Sequence, residues 1–175
     1  MKLFLLLPLS VAALSQPTGS AEHVASVLKS ADEAADTRDG RKEQRRALST
    51  LDRIGAAPHD SNASDTLQDL RKSARLKSAP PMRGRLLGPA YRRGELGVGQ
   101  QLQIEQLFAA GQPAEAAVLG AKNAPFSLTV RQQKETPVCE KSLRSCKWQP
   151  YFTQRYTITI RNEGQASARY YLALD

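Results

Sequence analysis

The sequence predicts an α+β protein, with an N-terminal helical segment followed by an antiparallel all-β sandwich. Three observations carry this expectation. Apolar residues recur at helical spacing through residues 22–77. A proline-rich break follows at residues 78–85. Beyond it, short runs alternate apolar and polar side chains between turn signals rich in Gly, Pro and Asn.

The chain opens with Met1-Lys2 and an apolar run from Leu3 to Leu14, interrupted only by Pro8 and Ser10. About 20 apolar residues are needed to span a bilayer as a helix, so this run is too short. A cationic start, a short apolar stretch and small residues behind it read as a secretory signal peptide over residues 1–21. Ala13-Leu14-Ser15 and Gly19-Ser20-Ala21 both offer small residues at the positions a signal peptidase reads. No later stretch is long and apolar enough to cross a membrane, so no transmembrane segment is expected in the mature chain. The expected location is periplasmic or secreted.

Residues 22–77 read as a helical appendage. Val24, Val27, Leu28, Ala31, Ala34 and Ala35 form one face of a first helix that ends at Asp39-Gly40. A second runs from Arg41 to Ile54 with Ala47, Leu48, Leu51 and Ile54 on one side, and stops at Gly55. A third begins near Asp65, where Asp-x-x-Gln resembles a capping box, and presents Leu67, Leu70 and Ala74. Consecutive prolines in "SAPPMRG" hold the chain extended, which makes residues 78–85 the linker. In the remainder, Leu102 and Ile104 share one face, as do Phe126, Leu128 and Val130. Tyr156, Ile158 and Ile160 repeat the pattern, and Tyr170, Leu172 and Leu174 alternate with Tyr171 and Ala173. One ring of the Tyr170-Tyr171 pair is therefore expected inside and the other outside. Residues 86–175 are expected to form the sandwich and to fold without the helices.

Cys139 and Cys146 are the two cysteines of the chain. Export places them where disulfides persist, and six intervening residues suit a staple across a short hairpin-like excursion. Zinc would need about four ligands, and the two histidines, His23 and His59, are distant in sequence. No metal or cofactor is expected. A loop this short implies roughly 2–3 kcal/mol of stabilisation from the cross-link. Trp148 is expected to pack over the disulfide in the sandwich core.

Leu87-Gly88-Pro89-Ala90-Tyr91, the strand ending Phe108-Ala109-Ala110-Gly111, and Ala114 to Val118 resemble the opening of bacterial pre-peptidase C-terminal-type β-sandwich domains. Cys139, Cys146, Trp148, Pro150, Thr153, Ile158, Ile160, Asn162, Gly164, Tyr171 and Leu172 resemble the second half of that domain. The resemblance covers about residues 86–175. It implies a jelly-roll-like sandwich, found on exported bacterial proteins as a non-catalytic accessory or targeting module. Relatives often carry an aspartate-rich strand before the first cysteine. Here "APFSLTVRQQKETP" has no aspartate, so it falls short of the several carboxylates that calcium usually takes.

No catalytic constellation stands out. Gly-x-Ser-x-Gly is absent, "GELGVG" lacks the strand-to-helix setting of a phosphate loop, and Glu95, Glu105 and Glu115 have no implied geometry. The chain is therefore read as no enzyme.

Charge is the remaining signal, at a net +8 with pI near 9.8. Residues 22–80 contribute +1 and residues 81–175 contribute +6, which directs attention away from the helices. Arg83, Arg85, Arg92 and Arg93 bracket "LGPAY" and form the candidate anion-binding cluster, on positions expected to be exposed. The expected function is an accessory or binding module for an unknown protein or envelope component. The alternative is a basic protein that binds lipopolysaccharide, acidic polysaccharide or nucleic acid.

Overall fold

A computed structural model describes residues 20–37, 39–59, 66–76, 88–132, 136–142 and 144–175. The apolar leader up to residue 19, the linker, Asp65, Arg83 and Arg85 lie outside the described residues.

Helix α1, Ala21–Ala35, starts at Ser20, whose hydroxyl accepts a hydrogen bond from the His23 amide at 3.3 Å. Its apolar side, Val24, Ala25, Leu28 and Ala31, is completely buried. Helix α2, Arg41–Ile54, buries Ala47, Leu48 and Leu51. It stops at Gly55, whose φ of 75° lies in the left-handed region that glycine enters freely. Strand β1, Ala57–Pro58, and helix α3, Thr66–Ser73, complete the helical segment.

Eight longer strands follow: β2 (Ala90–Leu96), β3 (Gln101–Phe108), β4 (Ala114–Gly120), β5 (Phe126–Gln132), β6 (Thr136–Ser142), β7 (Ser145–Trp148), β8 (Gln154–Asn162) and β9 (Ala168–Leu174). They pair as two sheets, β2-β9-β4-β7 and β3-β8-β5-β6, with β1 added in parallel to the β2 edge. This order is the double Greek key of a jelly roll. The α+β expectation, helices first and antiparallel sandwich second, is what the chain adopts.

Ile104, Leu128, Val130, Ile158 and Ile160 from one sheet meet Val118, Tyr170 and Leu172 from the other in the sandwich core. Alternation places all of them but Val118, whose strand is small or apolar on both sides. A second core lies outside the first sheet. There Val24, Leu28, Leu48 and Leu51 of the helices pack on Tyr91, Ala117, Tyr171 and Ala173. The five-stranded sheet is therefore apolar on both faces, as sheets covered on both sides are. Tyr170 is 4 % exposed and Tyr171 0 %, so both rings are buried, not one. The helical layer supplies the cover that period-two reasoning assigned to water. Helices and sheet share this core, which the expectation of a self-sufficient sandwich did not include.

Polar side chains also join the two layers. Asp32, on α1, is 2 % exposed. Its carboxylate accepts the Tyr171 hydroxyl at 2.5 Å and Arg169 Nη1 at 2.7 Å, and pairs with Arg93. Arg169 reaches on to Asp36 at 3.0 Å. At the other end of α1, Glu115 Oε2 of β4 accepts the Ala21 amide at 3.1 Å, placing a carboxylate at the helix N-terminus.

Candidate partner-binding site

The β7–β8 connection, residues 149–153, projects from one end of the sandwich. Its base is a cluster of three rings supplied by inward-facing positions of three strands. Phe108 of β3 meets Trp148 of β7 edge-on, with centroids 4.8 Å apart, and Tyr156 of β8 at 5.7 Å. Trp148 and Tyr156 are 5.4 Å apart. Such offset and edge-to-face pairs contribute about 0.5–1.5 kcal/mol each beyond their buried area. Trp148 packs in the same core as Cys139 and Cys146, held there by the two rings, and among the described residues its buried indole Nε1 has no acceptor.

Above this base the loop backbone is tied to the β3–β4 turn. The Gly111 amide donates to the Pro150 carbonyl at 2.8 Å, and Gln149 Nε2 donates to the Gly111 carbonyl at 3.1 Å. The Ala110 amide donates to Thr153 Oγ1 at 3.0 Å. Gly111, at φ 73°, occupies a conformation few other residues adopt, which lets the turn present both its amide and its carbonyl. Between these ties stand Tyr151, 91 % exposed, and Phe152, 72 % exposed. Two large rings held in water on a fixed backbone run against the hydrophobic effect, about 1.5–3 kcal/mol for a fully buried ring. Leu107, near the end of β3, is exposed as well, and a cavity of about 270 Å³ opens there between Phe108, Pro113 and Leu174.

The sequence marked Pro150 and Thr153 but passed over Tyr151 and Phe152. Two adjacent aromatics immediately after a proline, outside any alternating run, are the signal that would have found them. Cys139 and Cys146 are bonded to each other, with Cα atoms 6.1 Å apart, and join β6 of one sheet to β7 of the other. This staple holds the edge from which the loop departs.

Of the four arginines in the candidate cluster, Arg92 and Arg93 lie among the described residues. Arg93 faces α1 and pairs with Asp32, and its side chain is 20 % exposed. Arg92 is only partly exposed, so the expectation of free, exposed positions does not hold for these two. They sit on β2, next to β9, and α1 packs on β9 and β4; burial of Asp32 requires a cation beside it, which Arg93 supplies. Glu95 and Glu105 lie on strands of different sheets, while Glu115 is taken up at the start of α1. His23 is exposed on α1 and His59 follows β1. Among the described residues no group of three His, Cys, Asp or Glu is placed to hold a metal ion. Burial raises the Tyr171 hydroxyl well above the ordinary tyrosine pKa of 10.0, reinforced by the bond to Asp32. It therefore stays a donor at any physiological pH.

No family model and no curated protein matches the chain. Among solved structures, PliG from Aeromonas hydrophila, a periplasmic inhibitor of g-type lysozyme, is similar at 16% identity. The match covers 50% of this chain and 84% of that one, with a TM-score of 0.40. The Yersinia pseudotuberculosis-derived mitogen is similar at 15% identity over the same shares, with a TM-score of 0.42. A de novo designed double-stranded β-helix is similar at 14% identity, over 49% of this chain and 97% of that one, with a TM-score of 0.32. The jelly-roll assignment rests on strand order and not on these likenesses.

Proposed function

We propose that this protein is an exported, non-catalytic module that binds a protein partner through the loop at residues 149–153. The observation that carries the reading is the pair Tyr151 and Phe152, exposed on a backbone tied by three hydrogen bonds. Rigid aromatic anchors lose little entropy on binding and supply large contact area, which is why tyrosine and tryptophan dominate binding hot spots. Export to the periplasm or the medium is supported by the apolar leader and by the Cys139–Cys146 bond. The likeness to pre-peptidase C-terminal-type domains agrees with this reading through the sandwich and its staple, and has no family-model match behind it. The polyanion alternative, as placed on Arg83, Arg85, Arg92 and Arg93, loses Arg93 to Asp32.

Site-specific photocrosslinkers at positions 151 and 152, in the compartment to which the chain is exported, test the reading. One partner is expected at both positions and none at 103 on the open sheet. Replacing both rings by serine should weaken that association by about 2 kcal/mol or more while leaving thermal unfolding unchanged. Crosslinking equal at 103 and 151, or none at 151, sinks the reading.

A further inference from the structure

Helix α2 carries a cationic stripe that a segment-by-segment charge balance hides. Arg41, Lys42, Arg45, Arg46 and Arg53 are all exposed. At 100° per residue they fall within an arc of about 140°, which has buried Leu48 just beyond one edge and includes Asp52. The stripe runs roughly 18 Å along the axis. Among the described residues no carboxylate pairs with any of the five. Arg45 Nε donates to the Ala74 carbonyl at 2.9 Å, and Arg53 reaches only the Thr50 hydroxyl at 3.4 Å. Asp39 borders the patch, and Glu43 lies beyond its edge.

This arrangement opposes what a helix prefers. Arg41 and Lys42 sit in the first turn, at the positive end of the macrodipole. Arg41 with Arg45, and Lys42 with Arg46, are like-charge pairs at i,i+4, each unfavourable by a few tenths of a kcal/mol. Local conflicts of this kind are expected where a surface serves a ligand. By contrast, Asp52 on the same helix has its cation, Arg71.

We infer that the exposed face of α2 docks on an anionic phospholipid surface. Charge complementarity selects an anion, and four of the five cations are arginines, whose planar forks match phosphate oxygens. The shape selects a surface. The stripe is straight and open, with no groove to track a single strand and no aromatic side chain on which bases would stack. Nor does it offer an apolar centre of the kind a protein interface desolvates.

Cosedimentation of the full chain with vesicles of phosphatidylglycerol and phosphatidylethanolamine at low salt tests this, with phosphatidylcholine vesicles as reference. Binding should favour the anionic vesicles and fall away by about 0.5 M salt, where screening is nearly complete. Each cation near such a surface strengthens binding about fivefold. The variant Arg41→Gln, Lys42→Gln, Arg46→Gln, Arg53→Gln should therefore lose a factor of several hundred. Its fold should persist, because the substitutions relieve the helix, and unfolding by circular dichroism checks that. A second variant, Arg131→Gln, Lys141→Gln, Arg144→Gln, Arg155→Gln, removes the same charge from the sandwich and should bind as wild type does. Equal loss in both variants, or undiminished binding in the first, overturns the inference. So does tighter binding to heparin or a single-stranded oligonucleotide than to the anionic vesicles.

Discussion

The two outer faces of the jelly roll are built from the same alternation and end in opposite environments. On the four-stranded sheet, Gln103, Thr159 and Thr129 stand in register across β3, β8 and β5, and Thr157 lies opposite Arg131. That face meets water. On the five-stranded sheet the equivalent positions are Tyr91, Ala117, Tyr171 and Ala173, covered by α1 and its neighbours. Where charged residues appear on the covered face, as at Arg93 and Arg169, they pair with Asp32 of the covering helix. The difference shows what alternation encodes. It reports which side of a strand meets the other sheet, and it says nothing about whether a third layer covers the back.

The largest test of that difference removes the third layer. A fragment spanning residues 88–175 would expose Tyr91, Ala117, Tyr171 and Ala173 together and leave Arg93 without Asp32. It is expected to lack the cooperative thermal transition of the full chain, or to show one at a much lower temperature. Circular dichroism on both, produced in an oxidising compartment so that Cys139 and Cys146 are joined, makes the measurement. A fragment that unfolds at the temperature of the full chain would mean that the helices only rest on a self-sufficient sandwich.

The same asymmetry explains what could be read from the residues. Every strand of the open sheet with a clear alternating run, at Leu102-Ile104, Phe126 to Val130 and Tyr156 to Ile160, shows its apolar side to the core as expected. In β4 and β9 the signal was different. "AEAAVLG" and "YYLAL" have small or apolar residues on both sides, and those continuous runs were the trace of the helical cover. Asp32 was invisible because a carboxylate on a helix reads as solvated until its partners, more than 60 residues away, are known. Charge fared likewise. A sum over residues 22–80 sets the α2 cations against acids that include Glu22, Asp32, Glu33 and Asp36 near α1, so only the fold separates the stripe from its balance.

An intermediate effect is expected at Tyr171. Its hydroxyl donates to the buried carboxylate of Asp32, and hydrogen bonds to charged groups contribute roughly 1.5–3 kcal/mol. Tyr171→Phe should cost about that much at neutral pH, read from denaturant midpoints with unchanged slope. The raised pKa adds a signature. A tyrosine that holds its proton more tightly when folded contributes stability fully present below its unfolded value of 10.0, and lost as the pH rises towards the folded value. Wild type should therefore lose stability above about pH 10, and the variant should lose less over the same interval. Parallel alkaline profiles would show that Tyr171 does not couple the layers.

The smallest effect belongs on the open face. Gln103 is exposed on β3, opposite Thr159, and its side chain has no hydrogen-bond partner among the described residues. Gln103→Thr keeps a polar, strand-favouring side chain and removes nothing that the fold uses, so stability should stay within about 0.5 kcal/mol of wild type. The same exchange on the covered face has no such freedom: Tyr171→Thr would empty the volume of a ring beneath α1 and leave Asp32 facing a shorter donor. Equilibrium unfolding of the two threonine variants side by side gives the contrast its sharpest form. If Gln103→Thr costs more than about 1 kcal/mol, then the open face is part of a packed layer too, and the two faces differ less than their side chains imply.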